Sequence, residues 1–168
     1  MDAPAPAPKR PTQVAFRIHP LYRIFFLVLE PISALVGAFF THFRQGTYLT
    51  LLNAASAPMA SQAVPKATSV AMSQLANMYF FFALNEALVL RSTPDLRVWR
   101  VVLFVLLVAD VGHLFSMSEL GTGIYWDVKS WNASDWGNVP WVYAGMTLRV
   151  CFLMGFGLGE SRVLKRKV

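Results

Sequence analysis

Charged residues are scarce in this chain. They make up 14% of its 168 residues, against 55% hydrophobic residues, whereas about a quarter of an ordinary soluble domain is charged. The mean hydropathy is +0.46. A chain with so few polar residues cannot cover an apolar core with a surface that water solvates. The composition therefore predicts an integral membrane protein. A soluble all-α bundle with long core helices is the alternative.

Cysteine and clustered metal ligands are also lacking. Cys151 is the only cysteine, so a disulfide within the chain is excluded. The three histidines, His19, His42 and His113, fall in different segments and at different expected depths, which argues against a metal site. The glycine-rich run 155–159 follows no predicted strand, so it is not a nucleotide loop. We expect no cofactor and no metal.

Four long apolar segments are present instead. Each approaches the roughly 20 residues that a helix needs to cross a bilayer, and they cover residues 22–43, 68–90, 98–117 and 139–159. The Pro/Ala-rich and basic stretch 1–21 is expected to be disordered, and 161–168 is a basic tail. The sequence thus predicts an all-α fold, a four-helix transmembrane bundle within residues 22–160.

The basic residues are distributed unevenly around these segments. Eleven Lys and Arg residues flank one side, three flank the other, and Arg149 lies within the fourth segment. By the positive-inside rule, the N- and C-termini are both cytosolic. We expect a multi-pass protein of the endoplasmic reticulum surrounded by membrane lipids. Nucleic acid is not an expected partner, because no basic helix or stacking platform accompanies the charges.

Polar residues interrupt every apolar segment. A charge at the bilayer centre costs about 2.5–3.5 kcal/mol, so such side chains should face the bundle interior. They are Glu30, Gln74, Asn77, Glu86, Asp110, His113 and Arg149. The helical rise of about 1.5 Å per residue and the alternating helix directions place all but Glu86 in one layer. Glu86 is expected near the cytosolic end, paired with Arg91 or Arg100.

This layer has the residues for proton-transfer chemistry. Asp110 and His113 are three residues apart and share a helix face, as do Gln74 and Asn77. Two acids in different environments can act as acid and base at neutral pH. The predicted catalytic residues are Glu30, Asp110 and His113. The predicted binding residues in the same layer are Gln74, Asn77 and Arg149. A purely structural network, in which an acid neutralises Arg149, is the alternative.

The loop between the third and fourth segments is rich in tryptophan, at positions 126, 131, 136 and 141. This spacing is typical of an aromatic belt at the membrane surface; a lid over a cavity is the second interpretation. The substrate-binding residues predicted in this loop are Trp131, Asn132, Trp136 and Asn138. Residues 132–134 also form a sequon on the predicted lumenal side, which predicts glycosylation of Asn132.

A small-residue motif closes the fourth segment. Gly155 and Gly159 are spaced as G-x-x-x-G, which allows helices to approach closely. The motif predicts tight packing in the bundle or a homo-oligomer.

Five stretches carry a family resemblance. They read LEPISALVGAF, QLANMYFFFAL, ADVGHLF, WDVKSWNASDWGNVPW and LRVCFLMG. Together they resemble a fungal family of small four-pass membrane proteins, whose members share E-P, Q-L-x-N, D-x-G-H, W-N…W-G-N and an intramembrane Arg in this order. The resemblance covers residues 22–155. Most members of that family have no assigned activity.

The architecture also resembles, more loosely, the integral-membrane terpene cyclases of fungal meroterpenoid pathways, although this chain has fewer spans. That resemblance implies a cofactor-independent cyclase or isomerase of secondary metabolism. A membrane-embedded carboxyl would protonate an epoxide or olefin in a prenylated, lipophilic small-molecule substrate. The alternative function is a non-catalytic membrane protein that binds or transports a lipophilic molecule, or an accessory subunit.

Overall fold

The structure, a computed structural model, describes residues 17–159. It is all-helical apart from one short ladder, which confirms the predicted all-α class; the tail 161–168 and most of the stretch 1–21 lie outside the described residues. In the ladder, β1 (Arg17–Ile18) pairs antiparallel with β2 (Leu158–Gly159). The two ends of the described chain are therefore side by side.

The first long rod runs from Pro20 to Phe43 without a break. It consists of α1 (Pro20–Ile24), a π-helical turn (Phe25–Leu29) and α2 (Glu30–Phe43). His19 caps its start, because Nδ1 accepts a hydrogen bond from the Leu21 N–H at 3.2 Å. The rod has 24 residues, and its most apolar 18-residue stretch has a mean hydropathy of 2.0. Its length of about 36 Å is sufficient to cross a membrane.

Two further rods follow a short helix, α3 (Gln45–Leu52). The first comprises α4 (Lys66–Leu84) and a second π-helical turn (Asn85–Leu90), and the next is α5 (Leu96–Ser116). Asp95 caps α5 by accepting from the Arg97 N–H at 2.8 Å. A 3₁₀ turn extends α5 to Leu120, which gives a rod of 25 residues whose most apolar 18-residue stretch has a mean hydropathy of 2.0. Within residues 17–159, this rod and the first one are the two helices long and apolar enough to cross a membrane.

The chain returns through 3₁₀ turns (Met117–Leu120 and Thr122–Tyr125), α6 (Ala133–Asn138) and α7 (Pro140–Leu153). A capping box starts α6: the Asn132 side chain accepts from the backbone of Ser134 and Asp135, and the Asp135 carboxylate accepts from the Asn132 N–H. Paired side-chain caps of this kind satisfy the free N–H groups of a first helical turn.

The helix of the fourth predicted segment ends earlier than expected, at Leu153. Gly155, with φ +89°, closes it in a Schellman motif: Phe156 N–H donates to the Cys151 carbonyl and Gly155 N–H to that of Phe152, both at 3.0 Å. The prediction of a helical G-x-x-x-G is therefore wrong. Gly155 lies in the turn and Gly159 in β2, so neither belongs to a helix face.

The helices pack as two pairs, α2 along α4 and α5 along α7. An apolar core fills the end of the bundle near the ladder. Its buried members are Tyr22, Phe25, Phe26, Leu27, Leu90, Trp99, Leu103, Leu106 and Phe152. The Phe152 ring packs edge-on against Tyr22 and nearly parallel to Trp99, with centroids 5.2 and 5.7 Å apart. This core fixes α7, which carries Arg149, against the first rod and α5.

The outer surface of the rods is apolar, whereas charged side chains lie inside. Large apolar side chains are exposed along α2, α4 and α5, among them Val36, Phe39, Met78, Phe81, Phe104 and Val108. The buried polar and charged residues include Glu30, Glu86, Asp110 and Arg149. This distribution inverts that of an ordinary water-soluble domain, in which lysine, glutamate and aspartate stay at the surface.

Candidate functional site

Arg149 lies at the centre of four helical elements and is fully buried. Its Nη2 is 2.8 Å from Glu30 Oε1 and 3.2 Å from Glu86 Oε1, and its Nη1 is 2.7 Å from Asp110 Oδ2. The three acids come from α2, the second π turn and α5. We call Glu30, Glu86, Asp110 and Arg149 the carboxyl cluster.

Aromatic rings enclose the guanidinium. The Arg149 Cζ is 5.5 Å from the ring centroid of Phe26 and 5.6 Å from that of Phe82. Both distances are within the range of cation–π attraction, which strengthens when the cation is removed from water. The rings therefore help to stabilise a charge that has no contact with solvent.

Gly145 provides the space for this arrangement. It lies one turn before Arg149 on α7, and a Cβ at this position would be 2.7 Å from Arg149 Nη1 and 3.0 Å from Glu30 Oε1. The first distance is shorter than side-chain carbons normally allow and the second is tight, so any side chain here would displace the Arg149 guanidinium. Sequence reasoning overlooked this glycine, although its spacing of four residues from a buried arginine was a usable signal.

A proline and a π turn position Glu30. Glu30 directly follows the first π turn and precedes Pro31, which has no N–H and cannot donate to the Leu27 carbonyl four residues earlier. Arg91 Nη2 donates to that carbonyl at 2.8 Å. Arg91 thus stabilises the irregular turn that sets the direction of Glu30.

Glu86 is placed by the second π turn, which packs against the first. The prediction that Glu86 lies apart and pairs with Arg91 or Arg100 is wrong, because its carboxyl contacts Arg149. The buried positions 72, 76, 83, 86 and 90 have helical spacing. Glu86 therefore belongs to the inner face of its rod, a placement that its expected depth along the helix did not show.

The acids outnumber the base. Three carboxyls surround one guanidinium, and Glu30 and Glu86 share the same nitrogen, Nη2. Within the described residues, Glu30 Oε2, Glu86 Oε2 and Arg149 Nε are buried without a hydrogen-bond partner. Buried polar atoms are normally satisfied, so each exception needs an explanation. Asp110, by contrast, does not share its guanidinium nitrogen, Nη1, with another acid. Its single negative charge balances the single positive charge of Arg149.

The cluster is nearly closed. The exposed fraction of the side chain is 7% for Glu30, 8% for Asp110 and 0% for Glu86. Two surface cavities, one beside α3 and one between α2 and α4, contain none of these residues. Glu30 and Asp110 are therefore at the edge of the cluster and Glu86 is in its interior.

His113 does not join the cluster. Its Nε2 is 3.1 Å from the carbonyl oxygen of Asn138, whereas Asp110 points its carboxylate at Arg149. The expected contact between Asp110 and His113 is not made, because the Asp110 carboxylate is directed to α7. His113 instead links α5 to the end of α6.

Gln74 and Asn77 also lie outside the cluster. Both are exposed on α4, and neither contacts the carboxyl cluster. Their expected depth carried no information about the rotation of this rod about its axis, and its buried positions place Glu86 inward instead. Of the predicted site residues, the structure brings together Glu30, Asp110 and Arg149.

The four predicted residues of the tryptophan-rich loop organise that loop. Trp131 Nε1 donates to the Ile124 carbonyl at 2.9 Å, and its ring packs edge-on against the half-exposed Trp136 at 5.3 Å. Asn138 Nδ2 donates to the Ser134 hydroxyl at 3.0 Å. Their role in binding a substrate stays a prediction.

Asn132 links this loop to α3. Its Nδ2, the atom that a glycan would modify, donates to the Leu51 carbonyl at 2.7 Å, and its Oδ1 caps α6. Both the nitrogen and the oxygen of this side-chain amide therefore already make hydrogen bonds within the protein. Glycosylation of Asn132 stays a prediction.

Comparison with known proteins gives one match. A family described as Domain of unknown function (DUF7704) matches residues 15–159. The chain belongs to this family. The match includes the entire carboxyl cluster and the tryptophan-rich loop. No curated protein and no solved structure gave a match.

Proposed function

We propose that this DUF7704 protein is a four-pass integral membrane protein with both termini in the cytosol, in the endoplasmic reticulum. The inverted polarity supports this proposal, because an apolar exterior around buried charges suits a hydrocarbon surrounding. The pairing of β1 with β2 places the two described ends together, which suits an even number of passes. The basic residues, eleven on one side and three on the other, suit cytosolic ends.

Cysteine accessibility tests the four-pass arrangement. Ser61→Cys and Ser92→Cys, each in a Cys151→Ser background, flank the rod of residues 66–90 and are both exposed positions. Four passes place them on opposite sides of the membrane. An impermeant maleimide should then label one of them in sealed vesicles and both after permeabilisation. Labelling of both in sealed vesicles would instead indicate that residues 66–90 do not cross.

We further propose that the carboxyl cluster holds an exchangeable proton and acts as an acid toward a lipophilic substrate. The surplus of carboxyls carries this proposal. Three ionised carboxylates beside one guanidinium would leave two uncompensated negative charges in a closed apolar site, which is strongly unfavourable. A proton shared by Glu30 and Glu86 removes part of this charge and gives their unpartnered oxygens a donor and an acceptor.

Glu30 is the proposed proton donor. It shares Nη2 with Glu86, and its side chain is at the edge of the cluster, whereas Glu86 is fully enclosed. Glu86 would act only through Glu30. As the buried partner that shares the proton, it would keep the charge of the pair balanced. Asp110 would remain ionised beside Arg149 Nη1 and hold the guanidinium in place.

The chemistry requires no co-reactant. The Glu30 O–H bond breaks as a C–H bond forms at an olefin, or an O–H bond at an epoxide, and the substrate becomes a carbocation that rearranges or cyclises. Loss of a proton from a neighbouring carbon to the Glu30 carboxylate then restores the acid. A prenylated or terpenoid lipophile is the proposed substrate class, since such molecules form tertiary cations. The rings of Phe26 and Phe82 lie against the cationic guanidinium of Arg149, and the same cation–π attraction would act on a carbocation.

Infrared spectroscopy tests the proton directly. Purified protein at neutral pH should show the C=O stretch of a protonated carboxylic acid, shifting in D₂O. Glu30→Gln and Glu86→Gln should each remove or shift this band, and Asp110→Asn should leave it in place. Absence of the band in the wild type would contradict a stored proton.

Product analysis tests the acid role. Membranes containing the wild type should convert a linear prenylated precursor to a cyclised or isomerised product, and Glu30→Gln should abolish conversion while the protein remains inserted. Unchanged conversion by Glu30→Gln would refute its assignment as donor.

A second candidate function is a non-catalytic brace that holds the helices for binding or transport of a lipophilic molecule. The near-complete burial of the cluster favours it. This function predicts that cluster substitutions reduce stability or ligand binding without any conversion by the wild type.

A further inference from the structure

A lateral groove between α2 and α4 lies outside the carboxyl cluster. It is a shallow, largely open depression of about 400 Å³. Ala38 and Ala76 are among its lining residues, together with the aromatic side chains of Phe39 and Phe80. The alanines leave the space that larger side chains would fill.

Three polar side chains also line this groove: Asn77, Ser73 and His42. Asn77 is exposed in the middle of α4, and its amide has no hydrogen-bond partner within residues 17–159. If α4 crosses a membrane, as proposed above, water cannot satisfy this amide at that depth, and an unsatisfied amide in an apolar medium is unfavourable. The amide can both donate and accept, so it suits a hydroxyl or a carbonyl oxygen.

The charge of the groove further restricts the ligand. No Lys, Arg, Asp or Glu lines it, so neither a phosphate nor an ammonium group finds a partner of opposite charge. We propose that the groove binds a neutral, elongated lipophile carrying one hydroxyl or carbonyl group, with that group on Asn77 and the chain along Phe39 and Phe80. This inference rests on the membrane-spanning architecture proposed above and not on the acid role of Glu30.

The groove and the cluster are separate sites on one helical rod. Glu86 follows Asn77 by nine residues, which is about 13 Å along the helix axis. A ligand held at Asn77 is thus beside the cluster and not within it. Access is lateral, because the groove opens on the apolar outer face of the rods.

Photolabelling tests this site on the full-length protein in detergent. The probes are hexadecanol with a mid-chain diazirine and the matched hexadecane diazirine. The alcohol should label peptides of α2 and α4 and be displaced by unlabelled hexadecanol. Asn77→Leu should weaken alcohol labelling about fivefold to tenfold, as expected for one lost hydrogen bond, and leave labelling by the alkane unchanged.

Gln74→Leu is the matched control, since it removes an exposed amide of the same helix that does not line the groove. It should label like the wild type. Ala38→Leu should fill the groove and suppress labelling by both probes, with an unchanged circular dichroism spectrum as the check on folding. Equal labelling of the wild type by alcohol and alkane, equal loss in Gln74→Leu, or undiminished labelling of Ala38→Leu would overturn the proposal.

The outcome is separable from that of the proposed function. Glu30→Gln should retain alcohol labelling, because the groove contains no member of the cluster. If the acid role of Glu30 were refuted while alcohol labelling remained, the proposed binding site in the groove would still be supported. Failure of the Ser61 and Ser92 accessibility test would remove the membrane premise itself.

Discussion

Arg149 Nη1 and Asp110 Oδ2 lie 2.7 Å apart, joining α7 to α5 in a contact whose guanidinium has no solvent exposure. The residues are 39 positions apart in the chain, so this pair exists only in the folded protein. Breaking one partner of a buried ion pair is more harmful than replacing both, because the remaining charge is stranded.

Replacement of Arg149 should therefore be severely destabilising. Arg149→Met leaves three acids without a cation, and we expect a loss of about 3–5 kcal/mol in the free energy of unfolding. Arg149→Lys keeps the charge but cannot offer two nitrogens to separate carboxyls, so it should be intermediate. Adding Asp110→Asn to Arg149→Met should recover part of the loss. Additive effects in this double variant, measured by denaturant unfolding in detergent, would contradict the coupling.

Gly145→Ala should disturb the cluster through its added methyl group. The Cβ would meet Arg149 Nη1 at 2.7 Å, and overpacking of this kind typically costs about 1–3 kcal/mol. Gly112→Ala is the control: it lies on α5, close to Asp110 in sequence, and its Cβ would have nothing within 4 Å. It should be neutral or stabilising by up to about 1 kcal/mol, since Ala favours helix. Equal midpoints of thermal unfolding for both variants would refute the role of Gly145.

Arg91→Met should loosen the turn before Glu30. It removes the donor to the Leu27 carbonyl, and we expect a loss of about 1 kcal/mol together with a shifted infrared band of the proposed acid. Arg97→Met is the matched control, because it removes one positive charge six residues further along the chain, at the start of α5, and its side chain makes no such contact within the described residues. A smaller loss for Arg91→Met than for Arg97→Met, with an unmoved band, would contradict this role.

Asn132→Ala should detach the loop from α3 and weaken the start of α6. It removes both the cap and the donor to the Leu51 carbonyl, whereas Asn132→Asp keeps a capping oxygen. We expect a loss of about 1 kcal/mol from the cap for the alanine variant and a smaller loss for the aspartate variant. Hydrogen exchange of the α6 backbone amides checks this ranking of the two variants. Faster exchange in Asn132→Asp than in Asn132→Ala would contradict the prediction.

Much of the fold could be predicted from the residue pattern. Long apolar stretches with few breaks favour helices, and residues 17–159 contain two helices long and apolar enough to cross a membrane. The carboxyl cluster was foreseeable in part: Glu30, Asp110 and Arg149 stand in apolar helices, where a charge must find a partner. Depth along each helix, counted from the sequence, was sufficient to suggest that these three meet.

Rotation about each helix axis could not be read in the same way. Gln74, Asn77 and His113 were assigned to the site by depth, but they point to other surroundings, while Glu86 was assigned elsewhere and lies inside. The two π turns change the helical phase just before Glu30 and at Glu86, and a sequence pattern with a fixed period of 3.6 residues does not register such a change. The early end of α7 depended on the positive φ of Gly155.

The sequence by itself determined which residues could not remain alone in an apolar surrounding, because the free energy of an unpaired charge follows from residue type. The tertiary structure decided which of them became partners, since four helices must agree in rotation before three acids can reach one guanidinium. Gly145, which has no chemistry of its own, shows the difference: only in the packed bundle does its missing Cβ leave room for the guanidinium.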